Sequence, residues 1–314
     1  MSRSSLAIVV TLAAGHAEAM ALAPGAKVLI SGNGPIQILA ARLSAICGYE
    51  TTLACLAETQ ERDMKMLFDD RYPEGSLPLT IMPITGDAVD TDLIEKTCLE
   101  AEGLIIAFDN ERTLPEGAMN VFMPEGSKLS HVSVMSRYLN GKGMMFTCNA
   151  AKVAANPDIW AGGNMINEYK QFEANVASRA KALGASKTVI RAGTLKGGGN
   201  AFDADSGGEP MFLNSYFYSL GQQDIVNWRL LYDCSALAVD LAAGDDMAGP
   251  GFTAALTATD RCGPGDSHRG AVAMALVQSL ASDAAKDKDF SVAAKEGREF
   301  PQPSEWGAMF ANAK

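Results

Sequence analysis

The chain has 314 residues, 47% of them hydrophobic and 20% charged, which is enough to bury a large core in one domain, or in one domain carrying a small lobe. A formal net charge of −11 and a pI near 4.8 exclude partners that are held by neutralising phosphates over a broad surface, so nucleic acid is not expected. The six cysteines (Cys47, Cys55, Cys98, Cys148, Cys234, Cys262) are scattered without a Cys-x-x-Cys pair, which reads as buried thiols in a reducing compartment rather than a disulfide framework or a zinc site. His16 and His131 are too isolated to build a metal site with carboxylates, and no metal is expected.

The N-terminus differs in kind from the rest. Arg3, the apolar run 6–14 and then His16-Ala17-Glu18-Ala19, with the small-x-small form of a processing site, read as a secretory-type leader over residues 1–19. Past it, no apolar run approaches the ~20 residues needed to cross a bilayer, so no integral membrane segment is expected in the mature chain. The stretch Ala17 to Pro24 is similar to the cleavage region of bipartite leaders that deliver proteins to plastids bounded by extra membranes, although Met20 stands where those leaders carry Phe. That resemblance implies a plastid destination, with the secretory pathway or the cytoplasm as the other readings.

From Lys27 onward, short β-branched or apolar runs alternate with segments of helical period, the pattern of βαβ units and a parallel sheet. Strands are expected at 27–31, 51–56, 80–84, 104–107, 129–135, 188–192, 252–257 and 290–293, and helices at 35–47, 90–100, 165–183 and 269–281. Ser267 is the expected N-cap of the last helix. The fold class is therefore α/β, doubly wound, with a mostly parallel Rossmann-type sheet spanning 27–300. Residues 197–251 break the alternation, being glycine-rich and then aromatic, and read as a small substrate lobe over the sheet's C-terminal edge, where open α/β sheets bind ligands. Residues 301–314 read as a tail.

The strongest local feature is Val28-Leu29-Ile30-Ser31-Gly32-Asn33-Gly34-Pro35-Ile36-Gln37. A strand, a glycine turn and a helix present backbone N–H groups and a positive dipole end to a pyrophosphate. Gly32 makes the tight turn, Gly34 admits the phosphate without a Cβ in the way, and Pro35 suits the start of the helix; Asn33 and Ile36 complete the cofactor-binding loop. Gln37 takes the third glycine position and Pro35 removes one donor. NAD against NADP turns on Glu58, which suits a ribose 2′-hydroxyl, and on Arg62, which suits a 2′-phosphate; both readings stay open. Asp87, after the third strand, reads as an N-cap or turn residue.

Further along, His131-Val132-Ser133-Val134-Met135-Ser136 places Ser133 and Ser136 near the end of the fifth strand. The next helix holds Asn167-Glu168-Tyr169-Lys170-Gln171-Phe172-Glu173, and the strand after it ends Ile190-Arg191-Ala192-Gly193. With Asp266-Ser267-His268-Arg269-Gly270-Ala271-Val272-Ala273, this ordered set resembles the atypical short-chain dehydrogenase/reductases, including NmrA-like and plastid NAD(P)-binding proteins. The resemblance covers residues 27 to about 300. It implies NAD or NADP as cofactor, with Lys170 at its ribose and Asp87 near its adenine, hydride transfer to a small organic substrate, and catalytic roles for Ser133, Ser136, Tyr169 and Lys170.

The chain departs from that family at the dyad. Four residues before Lys170 stands Ile166 rather than Tyr, and Tyr169 belongs to the apolar stripe Ile166, Tyr169, Phe172, Val176, Ala180, Leu183. The proton donor would then be a displaced Tyr169, Tyr138 or a lobe residue. Three readings follow: an NAD(P)-dependent reductase of a small molecule; a non-catalytic nucleotide-binding redox sensor or photosynthetic-complex assembly factor with a protein partner; or a scaffold with an empty pocket, which Gln37 and Pro35 favour. His268 and Arg269 read as helix-capping residues before they read as contacts to substrate or phosphate.

Overall fold

The computed structural model describes residues 21–85, 88–109, 113–114, 116–140, 164–199, 212–219, 234, 236–248 and 265–314. Within them an eight-stranded sheet runs in the order β3-β2-β1-β4-β5-β6-β10-β8. Its members are β1 (Lys27–Asn33), β2 (Glu50–Leu56), β3 (Leu79–Ile84), β4 (Gly103–Phe108), β5 (His131–Arg137), β6 (Ser186–Ala192), β8 (Ala238–Ala243) and β10 (Lys288–Lys295). All pairings are parallel except β10 with β8. The two short strands β7 (Thr194–Lys196) and β9 (Asp266–His268) pair separately, also in parallel.

The strand order reverses between β1 and β4, whose ladder runs from Val28↔Gly103 to Asn33↔Phe108. Such a switch point opens a crevice at the C-terminal strand ends. The helices fall on two sides. On one, α1 (Gly34–Ile46) packs on β1, β2 and β4 and against the late helix α6 (Arg269–Leu280), with α2 (Gln60–Leu67) beside α1. On the other lie α3 (Ala88–Glu100), α4 (Glu116–Phe122) and α5 (Asn164–Leu183). Each side has its own apolar cluster, one built on Val28, Ile30, Leu39 and Leu276, the other on Leu29, Leu104, Ile106 and Phe172. Helix α6 is apolar nearly all round because it is covered by the sheet, by α1 and by the last helix, α7 (Trp306–Asn312).

Some expectations need correction. The 301–314 stretch is no free tail: Trp306 and Phe310 are buried in the α1/α6 cluster and the Lys314 carbonyl accepts from Ala243 N–H. Part of the stretch assigned to a lobe supplies β8, the antiparallel edge strand, so 238–243 belongs to the main sheet. The N-cap of α6 is His268, whose Nδ1 accepts from Gly270 N–H at 3.0 Å. Ser267 instead accepts from Gly193 N–H and donates to the Val292 carbonyl, tying β9 to β6 and β10. The expected strand at 252–257, the leader at 1–19 and Asp87 lie outside the described residues. No helix among the described residues is long and apolar enough to cross a membrane.

Candidate functional site

At the switch point the glycine turn forms as strand, bend and helix, but both glycines answer to neighbours within the chain. A Cβ on Gly32 (φ +137°) would sit 1.7 Å from the Ala107 carbonyl oxygen, so this residue lets β1 lie flush along β4. A Cβ on Gly34 (φ +72°) would sit 2.6 Å from the Asp109 Cβ. The space expected to admit a phosphate therefore admits Asp109, the residue that directly follows β4.

The Asp109 carboxylate sits at the N-terminus of α1. Ile36 N–H donates to Asp109 Oδ2 at 3.1 Å, and Asp109 N–H donates to the Asn33 carbonyl and to Asn33 Oδ1, each at 3.2 Å. Arg269, first residue of α6, grips the same carboxylate with Nε to Oδ2 at 2.9 Å and Nη2 to Oδ1 at 2.9 Å. Its Nη1 donates to the Gly197 carbonyl at 3.0 Å and its guanidinium lies 5.7 Å from the centre of the Phe217 ring. Two side-by-side bonds to one carboxylate fix both groups, and charge-assisted bonds of this kind are about twice as strong as neutral ones. The fork and the helix amide thus hold an anion, and that anion is the protein's own.

The surroundings of this pair are polar and buried. Arg137, at the end of β5, donates to the carbonyls of Asp109 and Gly193, each at 3.0 Å. Lys196 and Asp266 form an ion pair of 3.0 Å with both side chains essentially inaccessible. Burial, and then the neighbouring Arg269 charge, push the His268 imidazole down to about 3, so it caps α6 as the neutral ring. Asp109, Arg137, Lys196 and Asp266 were not singled out from sequence. The available signal was Asp109 itself, an acid immediately after a strand that ends at a switch point.

The other expected cofactor residues fall as follows. Pro35 lies in the first turn of α1 and gives no amide, and Ile36 is buried with its amide on Asp109. Gln37, in the third glycine position, is buried and donates through Nε2 to the Ala54 carbonyl of β2, past the point where β1 and β2 stop pairing at Ile30↔Leu53. Glu58 is exposed in a short turn after β2. Arg62 is bound to the buried Asp63, with Nη2 to Oδ1 at 2.7 Å.

The expected catalytic set does not come together. Ser133 is fully buried, its hydroxyl 2.8 Å from that of Ser279 on α6, and serves to dock that helix. Odd and even residues of a strand face opposite sides, so Ser136 points the other way, toward α5. Its buried hydroxyl has no hydrogen-bond partner among the described residues. Tyr169 is 1% exposed and packs with Leu139 and Ile166 as part of the apolar stripe. Lys170 is exposed. Tyr138 is buried against the Val292 carbonyl, and burial pushes its phenol well above the usual range. Glu173 does not pair with Lys170; it bonds Arg191 of β6 at 2.7 Å, and Arg191 also reaches Asp289.

Cys47, Cys55 and Cys98 are free thiols, and burial pushes Cys55 up to about 11 and Cys98 up to about 12. Cys234 corrects the expectation of thiols throughout. It is disulfide-bonded, a proximity that spacing along the chain does not report. No cluster of three or more potential ligands for a metal occurs among the described residues.

No family model and no curated protein matches the sequence. Among solved structures, the protein SsCR aligns with 86% of this chain and 80% of its own at a TM-score of 0.51 and 10% identity. A short-chain dehydrogenase/reductase from Veillonella parvula in complex with NADP aligns with 89% of this chain and 99% of its own at a TM-score of 0.49 and 14% identity. An oxidoreductase from Lactococcus lactis aligns with 90% and 95% at a TM-score of 0.47 and 10% identity. The likeness is one of architecture: the chain has a doubly wound Rossmann-type fold.

Proposed function

We propose that this chain is a nicotinamide-dinucleotide-binding protein of short-chain dehydrogenase/reductase type in which binding, rather than a tyrosine-lysine proton relay, is the activity. One observation carries the reading. At the switch point a helix-terminal amide (Ile36) and a forked guanidinium (Arg269) converge on an anion, the geometry that a diphosphate requires. The frame fits the cofactor, and the Asp109 carboxylate now stands where the diphosphate would be received. When bound, the dinucleotide would supply a hydride carrier. The residues of the chain would hold and orient it: Ile36 and Arg269 at the diphosphate, Glu58 at the adenosine ribose, Lys170 at the second ribose.

Arg62 is committed to Asp63 while Glu58 is exposed, which favours NADH over NADPH, because an acid accepts from a 2′-hydroxyl and repels a 2′-phosphate. The sensor or assembly-factor reading is supported by the fate of the proton-relay candidates, with Tyr169 in an apolar stripe and Tyr138 bonded to a strand carbonyl. A plastid destination goes with this reading and rests on the leader-like segment alone. The test is calorimetric titration with NADH and NADPH, followed by turnover assays with quinones and enones. NADH binding, weaker NADPH binding and no turnover are expected. Heat from neither nucleotide would remove the reading, and turnover would restore the reductase reading. Lys170→Ala should weaken NADH binding severalfold.

A further inference from the structure

Resting on that reading, we infer that Asp109 is a built-in occupant of the diphosphate site, and that nucleotide binding proceeds by exchange of its carboxylate for phosphate on Arg269 and the Ile36 amide. Asp109 takes from the site what a diphosphate would take: the Ile36 N–H at 3.1 Å, and the Nε and Nη2 hydrogens of Arg269, each at 2.9 Å. Pro35 has no amide to offer, so the position next to Ile36 in the first turn of α1 supplies no second donor. The carboxylate is not there by accident of a long flexible side chain. Its backbone is fixed by Asp109 N–H bonding to the Asn33 carbonyl and side chain, and Gly34 lacks the Cβ that would collide with it.

Across the exchange Arg269 keeps an anion on its fork. Arg269 is 5% exposed by side chain and Asp109 16% exposed, so the guanidinium sits where an unpaired charge is costly and one anion must replace another. The Asp109 side is the more open of the two, the side from which an entering phosphate can compete. Arg269 keeps its bond to the Gly197 carbonyl and its place by Phe217 throughout, so the fork is already aimed when the carboxylate leaves. Affinity for the dinucleotide is thereby held down by an internal competitor, and any event that draws Asp109 away raises it.

The test compares wild type with Asp109→Asn and Asp109→Ala, using inorganic pyrophosphate, NADH and NADPH as probes, with a melting curve to establish folding. Asparagine keeps a side chain that can accept from Ile36 N–H and so guards against a variant that merely fails to fold. Removing a competitor that makes charge-assisted bonds should tighten pyrophosphate binding by about tenfold or more in both variants, and more for alanine. Pyrophosphate affinity that is unchanged or weaker in the folded variants would overturn the exchange. A gain for pyrophosphate with no binding of NADH or NADPH to any of the three proteins would leave the exchange standing and remove the dinucleotide reading.

Discussion

Two quarters of the C-terminal sheet edge make an instructive pair. The β1/β4 quarter brings together a helix-end amide, a forked guanidinium and an anion, all interlocked. In the β5/α5 quarter Tyr169 lies in apolar packing, Tyr138 on a strand carbonyl and Ser133 on the Ser279 hydroxyl, while Lys170 is exposed. Binding and turnover depend on different physical requirements. Holding an anion needs fixed donors at a helix end, whereas proton transfer needs a hydroxyl within reach of a substrate. One can be retained while the other is lost.

The comparison can be broken most severely at Gly32. Gly32→Ala forces a Cβ to 1.7 Å from a carbonyl oxygen and should destabilise by about 4 kcal/mol or more in urea unfolding. Gly117→Ala on α4 meets nothing within 4 Å and should instead gain about 0.5–1 kcal/mol. Equal effects would contradict the claim that Gly32 is there for the β1–β4 contact. Next comes Arg269→Met, which leaves the Asp109 carboxylate without its fork and the Gly197 carbonyl without its donor. A loss of about 3–5 kcal/mol is expected, much of it recovered when Asp109→Asn is added, because breaking a pair costs more than replacing it. A double variant no more stable than Arg269→Met would argue against the pair.

A third effect sharpens the picture of the buried edges. His131 is fully buried at the start of β5; Thr188 donates to the Ala285 carbonyl, so His131 donates from Nε2 to Thr188 Oγ1, and its Nδ1 has no partner. Burial, and then the Lys286 charge, push it down to about 4. The folded state then binds fewer protons than the unfolded state, where the ring titrates near 6.5. Stability is fully present above that pH and is lost as pH falls from 6.5 toward 4, by about 2–3 kcal/mol from His131 alone. His268 adds to the loss in the same direction. Unfolding free energies at pH 7 and 5.5, before most carboxylates titrate, would show the slope; a flat profile would contradict it. Smallest of all, Lys170→Ala on the exposed side of α5 should change stability by less than about 0.5 kcal/mol, so any loss of NADH affinity in that variant reports contact and not folding.

The architecture was readable because it is written in local periodicity. The expected strands at 27–31, 51–56 and 104–107 sit within β1, β2 and β4, and the stripe through Tyr169, Phe172, Val176 and Ala180 is the buried face of α5. The site was less readable because its meaning is set by register. Asp109 stands more than seventy residues beyond Ile36 and meets it only because β4 lies beside β1. The glycine turn looked like a phosphate loop for the same reason that it accepts a carboxylate: both anions want the same amide. The edge strand β8 and helix α7 were missed where aromatic and polar residues mask the pattern, although Trp306 and Phe310, four apart, carried a helical spacing.

The most direct measurement follows the Ile36 amide and the Arg269 Nε resonances by NMR while NADH is added. Both should move together and saturably as Asp109 gives way to the diphosphate. Resonances that stay fixed while NADH binds elsewhere, or while it does not bind at all, would contradict the account.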